Sequence, residues 1–200
     1  MPAGSGSDQI QDRVLTVPNV ISLARLGLIG VFLYLLLIAR ADGPAVAILM
    51  LSGASDWADG KVARLFNQYS RLGALLDPAI DRLYMITIPV AFGVRGLVPW
   101  AIIGTLLARD LLLAATLPAL RSRGLTALPV TYIGKAGTFA LMSAFPLILL
   151  GQWDQLWSRL VLAAGWGFLI WGLGMYLWAF VLYLIHVRLV VRTMPKVDGG

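Results

Sequence analysis

The sequence predicts an all-α integral membrane protein with six transmembrane helices, and three observations support that fold class. Hydrophobic residues make up 59% of the 200 residues, whereas charged residues make up 13%, about half of the share that is usual in soluble domains. The mean hydropathy is +0.82. The apolar residues are also grouped into six stretches of roughly 20 residues, which is the length that crosses a bilayer as a helix.

The six expected spans follow one another with short connections and no linker. They cover about residues 17–38, 44–65, 72–94, 97–120, 131–150 and 157–187. Residues 13–193 would form one membrane domain, with a disordered polar tail at 1–12 and a short C-terminal tail at 194–200. Nine basic residues would lie on the side of the two termini and three on the other side, so both termini are expected in the cytoplasm.

The composition limits the chemistry. There is no cysteine, no glutamate and a single histidine, so disulfides, thiolate metal sites and cysteine nucleophiles are excluded. A metal would have to be bound by aspartate and backbone oxygen, which favours magnesium, manganese or calcium over zinc or copper. The net charge of +6 fits basic loops that face anionic membrane lipid, and nucleic acid is not an expected partner.

Several charged residues fall inside the expected spans. A charge costs about 2.5–3.5 kcal/mol or more at the centre of a membrane helix, so such residues usually face a polar interior that has a function. Most of them lie in the cytoplasmic halves of their helices, which predicts a polar cavity open to the cytoplasm. Asp110 beside Arg109 can instead be explained in part as a structural ion pair. The nine residues are Arg25, Asp56, Asp59, Asp77, Asp81, Arg82, Arg109, Asp110 and Lys135.

Four of these aspartates have a spacing that would bring them together. Asp56 and Asp59 are three residues apart and share one helix face, while Asp77 and Asp81 are four residues apart and share a face of the next helix. Four carboxylates that close repel one another unless cations neutralise them. About two divalent ions would balance them, and oxygen ligands suit hard metals.

The segment from residue 56 to residue 81 resembles the signature of the CDP-alcohol phosphatidyltransferase family. The resemblance covers eight fixed positions at fixed separations without a gap, and six spans with cytoplasmic termini are similar to the membrane domain of that family. The pattern is Asp56-x2-Asp59-Gly60-x2-Ala63-Arg64-x8-Gly73-x3-Asp77-x3-Asp81.

The resemblance implies a metal-dependent transfer of a phosphatidyl group from CDP-diacylglycerol to an alcohol, with release of CMP. It implies two Mg²⁺ or Mn²⁺ ions and makes Asp81 the general base for the acceptor hydroxyl as well as a metal ligand. The implied metal ligands are Asp56, Asp59, Asp77 and Asp81. The implied CDP contacts are Asp56, Gly60, Ala63, Arg64 and Gly73.

The prediction of the acceptor depends on further resemblances within the family. The segments TVPNVISLARL, LDPAID and LPVTYIGKAGTF are most similar to CDP-dependent cardiolipin synthases of actinobacteria, which implies phosphatidylglycerol as acceptor. Glycerol 3-phosphate, as in phosphatidylglycerophosphate synthases, is the alternative, although those enzymes more often have glutamate at Asp110 and lysine at Arg82; inositol phosphate is less favoured. The candidate anion contacts are Arg25, Arg109, Lys135, Arg121 and Arg123, and the last two can equally be ordinary loop charges.

A different class of protein, an ion-coupled transporter, would also place acids and bases within the membrane. Transporters in many folds show internal repeats, and this sequence shows none. The expected protein is therefore a multi-pass enzyme of the cell membrane. Its active site would face the cytoplasm, and the family resemblance implies a homodimer.

Overall fold

The computed structural model describes residues 17–53, 71–125 and 131–194, with side chains described over 23–53, 79–125 and 131–194. Within these ranges every regular element is a helix, which confirms the all-α prediction. Among the described residues, three helices are long and apolar enough to cross a membrane, and they run over Trp100–Arg121, Tyr132–Leu150 and Leu156–Thr193. The total of six spans and their orientation stay predictions.

The chain divides after Ala91 into two compact units. The first unit contains helix α1 (Val17–Leu33), helix α2 (described over Asp42–Gly53) and most of helix α3 (Arg71–Val94). A π-helical turn at Tyr34–Ile38 extends α1, and the Ala39 nitrogen donates to the Tyr34 oxygen at 2.9 Å. Leu36 in this wider turn is fully buried.

Apolar side chains from all three helices form the interior of the first unit. The Tyr84 hydroxyl on α3 also donates to the Leu49 carbonyl oxygen on α2 at 3.4 Å. Because lipid offers no hydrogen bonds, a polar group on an apolar helix needs a partner of this kind within the protein. The buried apolar residues include Ile29, Phe32, Leu36, Ala45, Val46, Leu49, Ile80 and Ile88.

The second unit contains the end of α3 and helices α4 (Trp100–Arg121), α5 (Tyr132–Leu150) and α6 (Leu156–Thr193). Helices α5 and α6 approach closely through glycines. A methyl group at Gly165 would lie 2.8 Å from the Ile148 nitrogen, and one at Gly137 would lie 3.0 Å from the Tyr176 nitrogen. Small residues allow such contact between backbones, which is how apolar helices associate when lipid surrounds them.

Two helix ends differ most from the predicted spans. Helix α4 begins at Trp100 rather than Leu97, because Gly96 turns the chain with φ of 71° and Pro99 is the N-cap residue. Helix α6 continues to Thr193 rather than ending at Val187. With 38 residues it is about 57 Å long, and the hydrocarbon core of a bilayer is only about 30 Å thick.

Large apolar side chains are exposed on the surface of the second unit. Leu111 on α4, Phe139 on α5, and Leu160 and Trp171 on α6 are among the most exposed. Soluble monomeric proteins rarely expose so much apolar surface, whereas lipid solvates it without cost. This surface is consistent with a membrane protein.

Candidate active site

Helix α3 carries two of the predicted metal ligands. It is helical from Arg71 to Val94, so it continues through Pro78, and Asp77 and Asp81 lie one turn apart on the same face as the spacing predicts. The side chain of Asp81 is about half exposed, at 54%. The side chain of Asp77 lies outside the described residues.

A buried arginine holds Asp81 within the first unit. Arg25 on α1 is only 5% exposed, and its Nη1 lies 2.9 Å from Oδ1 of Asp81. A guanidinium buried to this degree is costly unless it is paired, so the contact fixes both side chains. The sequence predicts Arg25 as an acceptor contact, whereas in the structure it contacts Asp81, the predicted general base.

The remaining parts of the aspartate motif fall on residues 54–70 or on side chains of 71–78, both outside the described part. The described side chains include no group of three or more aspartate or histidine residues that could hold a metal. The predicted four-aspartate site stays untested, because only one of its four side chains is described. That one, Asp81, fits the prediction as an exposed oxygen donor held in place by Arg25. The residues not described are Asp56, Asp59, Gly60, Ala63 and Arg64, together with the side chain of Asp77; Gly73 lies on α3.

A second polar cluster lies between α4 and α6 in the second unit. Nη1 of Arg109 lies 3.0 Å from Oδ1 of Asp110, and the Tyr176 hydroxyl donates to the same Oδ1 at 2.6 Å. The guanidinium carbon of Arg109 is 3.9 Å from the centre of the Tyr176 ring and 5.9 Å from that of Phe180. The Arg109 side chain is 14% exposed, so a cation is held against aromatic faces and away from solvent.

The sequence does not single out Tyr176 as a site residue. It lies 66 residues from Asp110 in the chain, within an apolar helix that also carries several tryptophans and tyrosines. One physical signal points to it: a tyrosine hydroxyl inside a membrane helix normally finds a hydrogen-bond partner. The sequence cannot say which partner that is.

The other predicted acceptor contacts have different surroundings. Arg123 donates through Nη1 to the Ala119 carbonyl oxygen at 2.8 Å and through Nη2 to that of Val191 at 3.3 Å, so it joins the end of α4 to α6. This arrangement favours a structural role. Arg121 is exposed, and Lys135 is exposed with Nζ 5.7 Å from the centre of the Tyr132 ring.

The sequence profile of the CDP-alcohol phosphatidyltransferase family matches residues 15–178 of the chain. A Mycobacterium tuberculosis protein named "Putative cardiolipin synthase" is 65% identical over 189 residues, which cover 94% of this chain and 90% of that protein. The "Cardiolipin synthase (CMP-forming)" of Streptomyces coelicolor is 45% identical over 192 residues, covering 94% and 89%.

A relative named for a different acceptor is less similar. The CDP-diacylglycerol–glycerol-3-phosphate 3-phosphatidyltransferase of Cereibacter sphaeroides is 32% identical over 143 residues, covering 68% of this chain and 64% of that protein. The family match contains the whole aspartate motif as well as Arg25, Arg109 and Tyr176. The chain therefore belongs to the CDP-alcohol phosphatidyltransferase family.

Proposed function

We propose that this enzyme transfers the phosphatidyl group of CDP-diacylglycerol to phosphatidylglycerol, giving cardiolipin and CMP in the cell membrane. The observation that supports this acceptor is the identity of 65% and 45%, over nearly the whole chain, to proteins named as cardiolipin synthases. The relative named for glycerol 3-phosphate reaches 32% over a shorter stretch.

The proposed reaction is a single displacement at phosphorus. Asp81 accepts the proton of the free glycerol hydroxyl of phosphatidylglycerol while that oxygen attacks the phosphorus that carries diacylglycerol. The bond from this phosphorus to the bridging oxygen of the diphosphate breaks, and CMP leaves. The exposed carboxylate of Asp81 can meet a hydroxyl, and its 2.9 Å contact with Arg25 fixes its position, as a general base requires.

The proposed reaction depends on divalent metal. Asp56, Asp59, Asp77 and Asp81 would hold two Mg²⁺ or Mn²⁺ ions, because aspartate oxygens are the donors that these cations prefer. Bound there, the ions would offset the charge of the diphosphate. Gly60, Ala63, Arg64 and Gly73 would contact the CDP group together with Asp56.

Arg109 is the proposed contact for the phosphate of the acceptor lipid. Its side chain is 14% exposed, and Asp110 engages Nη1 of the guanidinium. The accessible part of the guanidinium keeps N–H donors that suit an anionic ligand. Arg25, Lys135, Arg121 and Arg123 stay secondary candidates, and of these Arg25 and Arg123 already make the contacts given above.

The proposal includes six spans, cytoplasmic termini, a polar cavity open to the cytoplasm and a homodimer. Three helices of the described residues are long and apolar enough to span a membrane, and α1, α2 and α3 lie where the first three spans are expected, which supports the number of spans. The excess of basic residues beside the termini supports the orientation.

An acceptor assay tests the proposed function. Purified protein in mixed micelles receives CDP-diacylglycerol with Mn²⁺ or Mg²⁺ and either phosphatidylglycerol, glycerol 3-phosphate or no acceptor. Of the three acceptor conditions, we expect CMP release only with phosphatidylglycerol. We expect this release to stop when EDTA removes the metal. Phosphatidylglycerophosphate formed from glycerol 3-phosphate, without cardiolipin from phosphatidylglycerol, would contradict the proposed acceptor, and the absence of CMP with every acceptor would contradict the transferase reaction.

A further inference from the structure

Tyr176 contacts both members of the Arg109–Asp110 pair. Its ring lies 3.9 Å below the guanidinium carbon of Arg109, and its hydroxyl donates to Oδ1 of Asp110 at 2.6 Å. The same Oδ1 lies 3.0 Å from Nη1 of Arg109. One tyrosine on α6 therefore closes a triangle with two adjacent residues of α4.

Arg109 and Asp110 would not ordinarily face each other. Adjacent residues on a helix point about 100° apart, so their side chains must bend toward each other to pair. The ring of Tyr176 gives the guanidinium a surface to lie on, and its hydroxyl holds the carboxylate beside it. The contact thus restricts the guanidinium to one orientation.

The position of Tyr176 is itself fixed by the backbone. At Gly137 on α5, a methyl group would lie 3.0 Å from the Tyr176 nitrogen and 3.3 Å from the Gly172 oxygen. Close contact between α5 and α6 therefore sets where the tyrosine stands opposite α4. Three helices contribute to the orientation of one arginine.

The pair leaves donors of Arg109 for a ligand. A guanidinium has five N–H donors, and one nitrogen, Nη1, is engaged by Asp110. The side chain is 14% exposed, so part of the guanidinium is accessible to a ligand. A planar guanidinium held in one orientation suits a phosphate, which it can bind through two parallel hydrogen bonds.

We propose that Tyr176 is a positioning residue for acceptor binding, which acts by holding the Arg109 guanidinium in the orientation that receives the phosphate of the acceptor. This inference rests on the proposed function of Arg109 as the acceptor contact. It does not depend on which acceptor is used, because phosphatidylglycerol and glycerol 3-phosphate both carry a phosphate group.

The first test compares two identical chemical changes on α6. Tyr176→Phe keeps the ring under Arg109 but removes the hydroxyl that holds Asp110. Tyr183→Phe is the matched control, because Tyr183 lies two helical turns further along α6 and makes no hydrogen bond with the described residues. We expect Tyr176→Phe to raise KM for the acceptor about 3- to 10-fold, with KM for CDP-diacylglycerol unchanged. Tyr183→Phe should change neither.

The second test asks whether Tyr176 acts through Arg109. In an Arg109→Lys background there is no planar guanidinium for Tyr176 to orient. Adding Tyr176→Phe in that background should therefore raise KM for the acceptor less than about 2-fold further. The same fold-rise in both backgrounds would overturn the proposal, as would equal rises in KM for donor and acceptor. The latter result, together with a lower melting temperature, would indicate a contact that only joins α4 to α6.

Failure of the proposed function can be distinguished from failure of the proposal for Tyr176. If wild-type protein converts glycerol 3-phosphate and not phosphatidylglycerol, the proposed acceptor is wrong, and the same KM comparison with glycerol 3-phosphate decides the role of Tyr176. If Arg109→Lys leaves KM for the acceptor unchanged in an active enzyme, Arg109 is not the acceptor contact, and the proposal for Tyr176 is overturned with it.

Discussion

In the proposed mechanism, the ion pair between Arg25 and Asp81 orients the general base. The arginine is nearly inaccessible, whereas the aspartate is half exposed, so the pair has one anchored member and one that can reach a substrate. An exposed carboxylate alone would sample several rotamers. Held at 2.9 Å by a buried guanidinium, it is oriented before the substrate arrives.

Replacing Asp81 by asparagine should separate chemistry from folding. The amide oxygen of Asp81→Asn can still accept from Arg25, so the protein should fold, with a melting temperature that falls because the buried guanidinium loses its counter-charge. The amide cannot take a proton, and we expect kcat to fall at least about 100-fold. Asp154→Asn, the same change in the exposed turn between α5 and α6, is the control and should keep full activity. Near-normal turnover by Asp81→Asn would remove Asp81 as the base.

Relations between site residues that are close in the chain could be predicted from the sequence, whereas contacts between distant residues could not. The four-residue spacing of Asp77 and Asp81 is visible in the sequence, because it is set by helix geometry alone. The partner of Asp81 is 56 residues away, and that of Asp110 is 66 residues away. Such contacts depend on how helices pack, so neither the contact of Arg25 with Asp81 nor that of Tyr176 with Asp110 could be predicted from spacing.

At the scale of the helix, apolar patterning predicted most of the ends. The predicted spans 17–38 and 131–150 end within a residue of the helices observed, because proline, glycine or charged residues flank them. The largest difference between a predicted and an observed end is at the C-terminus of α6, which continues to Thr193. No helix breaker precedes Pro195 in that segment, so the helix continues past the apolar stretch that defines the span.

The contact between α5 and α6 gives a prediction about stability. A methyl group at Gly165 would lie 2.8 Å from the backbone nitrogen of Ile148, which cannot move aside cheaply, whereas one at Gly167 would meet nothing within 4 Å. We expect Gly165→Ala to lower the free energy of unfolding in detergent by about 1–3 kcal/mol. Gly167→Ala, the control, should be neutral or stabilising by up to about 1 kcal/mol. Equal effects of the two changes on unfolding would show that α5 and α6 are not packed this closely.

The whole molecule carries its basic residues unevenly, and that asymmetry predicts how it lies in the membrane. Helix α6 is about 57 Å long, so it must extend beyond a hydrocarbon core of about 30 Å. Its C-terminal end carries Arg188 and Arg192, and Arg123, which follows α4, donates to the Val191 carbonyl oxygen near the same end. We infer that this end projects into the cytoplasm, where basic residues face anionic lipid.

Single cysteines can test that orientation, because the chain contains none. Asp154 lies in the exposed turn before α6, and Thr193 is exposed at its end. In intact cells an impermeant maleimide should label Asp154→Cys but not Thr193→Cys, and in lysed cells it should label both. Labelling of Thr193→Cys in intact cells would contradict the cytoplasmic terminus and with it the proposed side of the active site.

The central claim is that one phosphatidyl group from CDP-diacylglycerol is joined to one intact phosphatidylglycerol. The most direct measurement supplies CDP-diacylglycerol and phosphatidylglycerol with acyl chains of different mass, together with Mn²⁺ or Mg²⁺, and determines the mass of the cardiolipin formed. We predict a mixed cardiolipin with one pair of chains from each lipid, and one CMP for each molecule. Cardiolipin with all four chains from phosphatidylglycerol, or CMP release without any cardiolipin, would contradict the account.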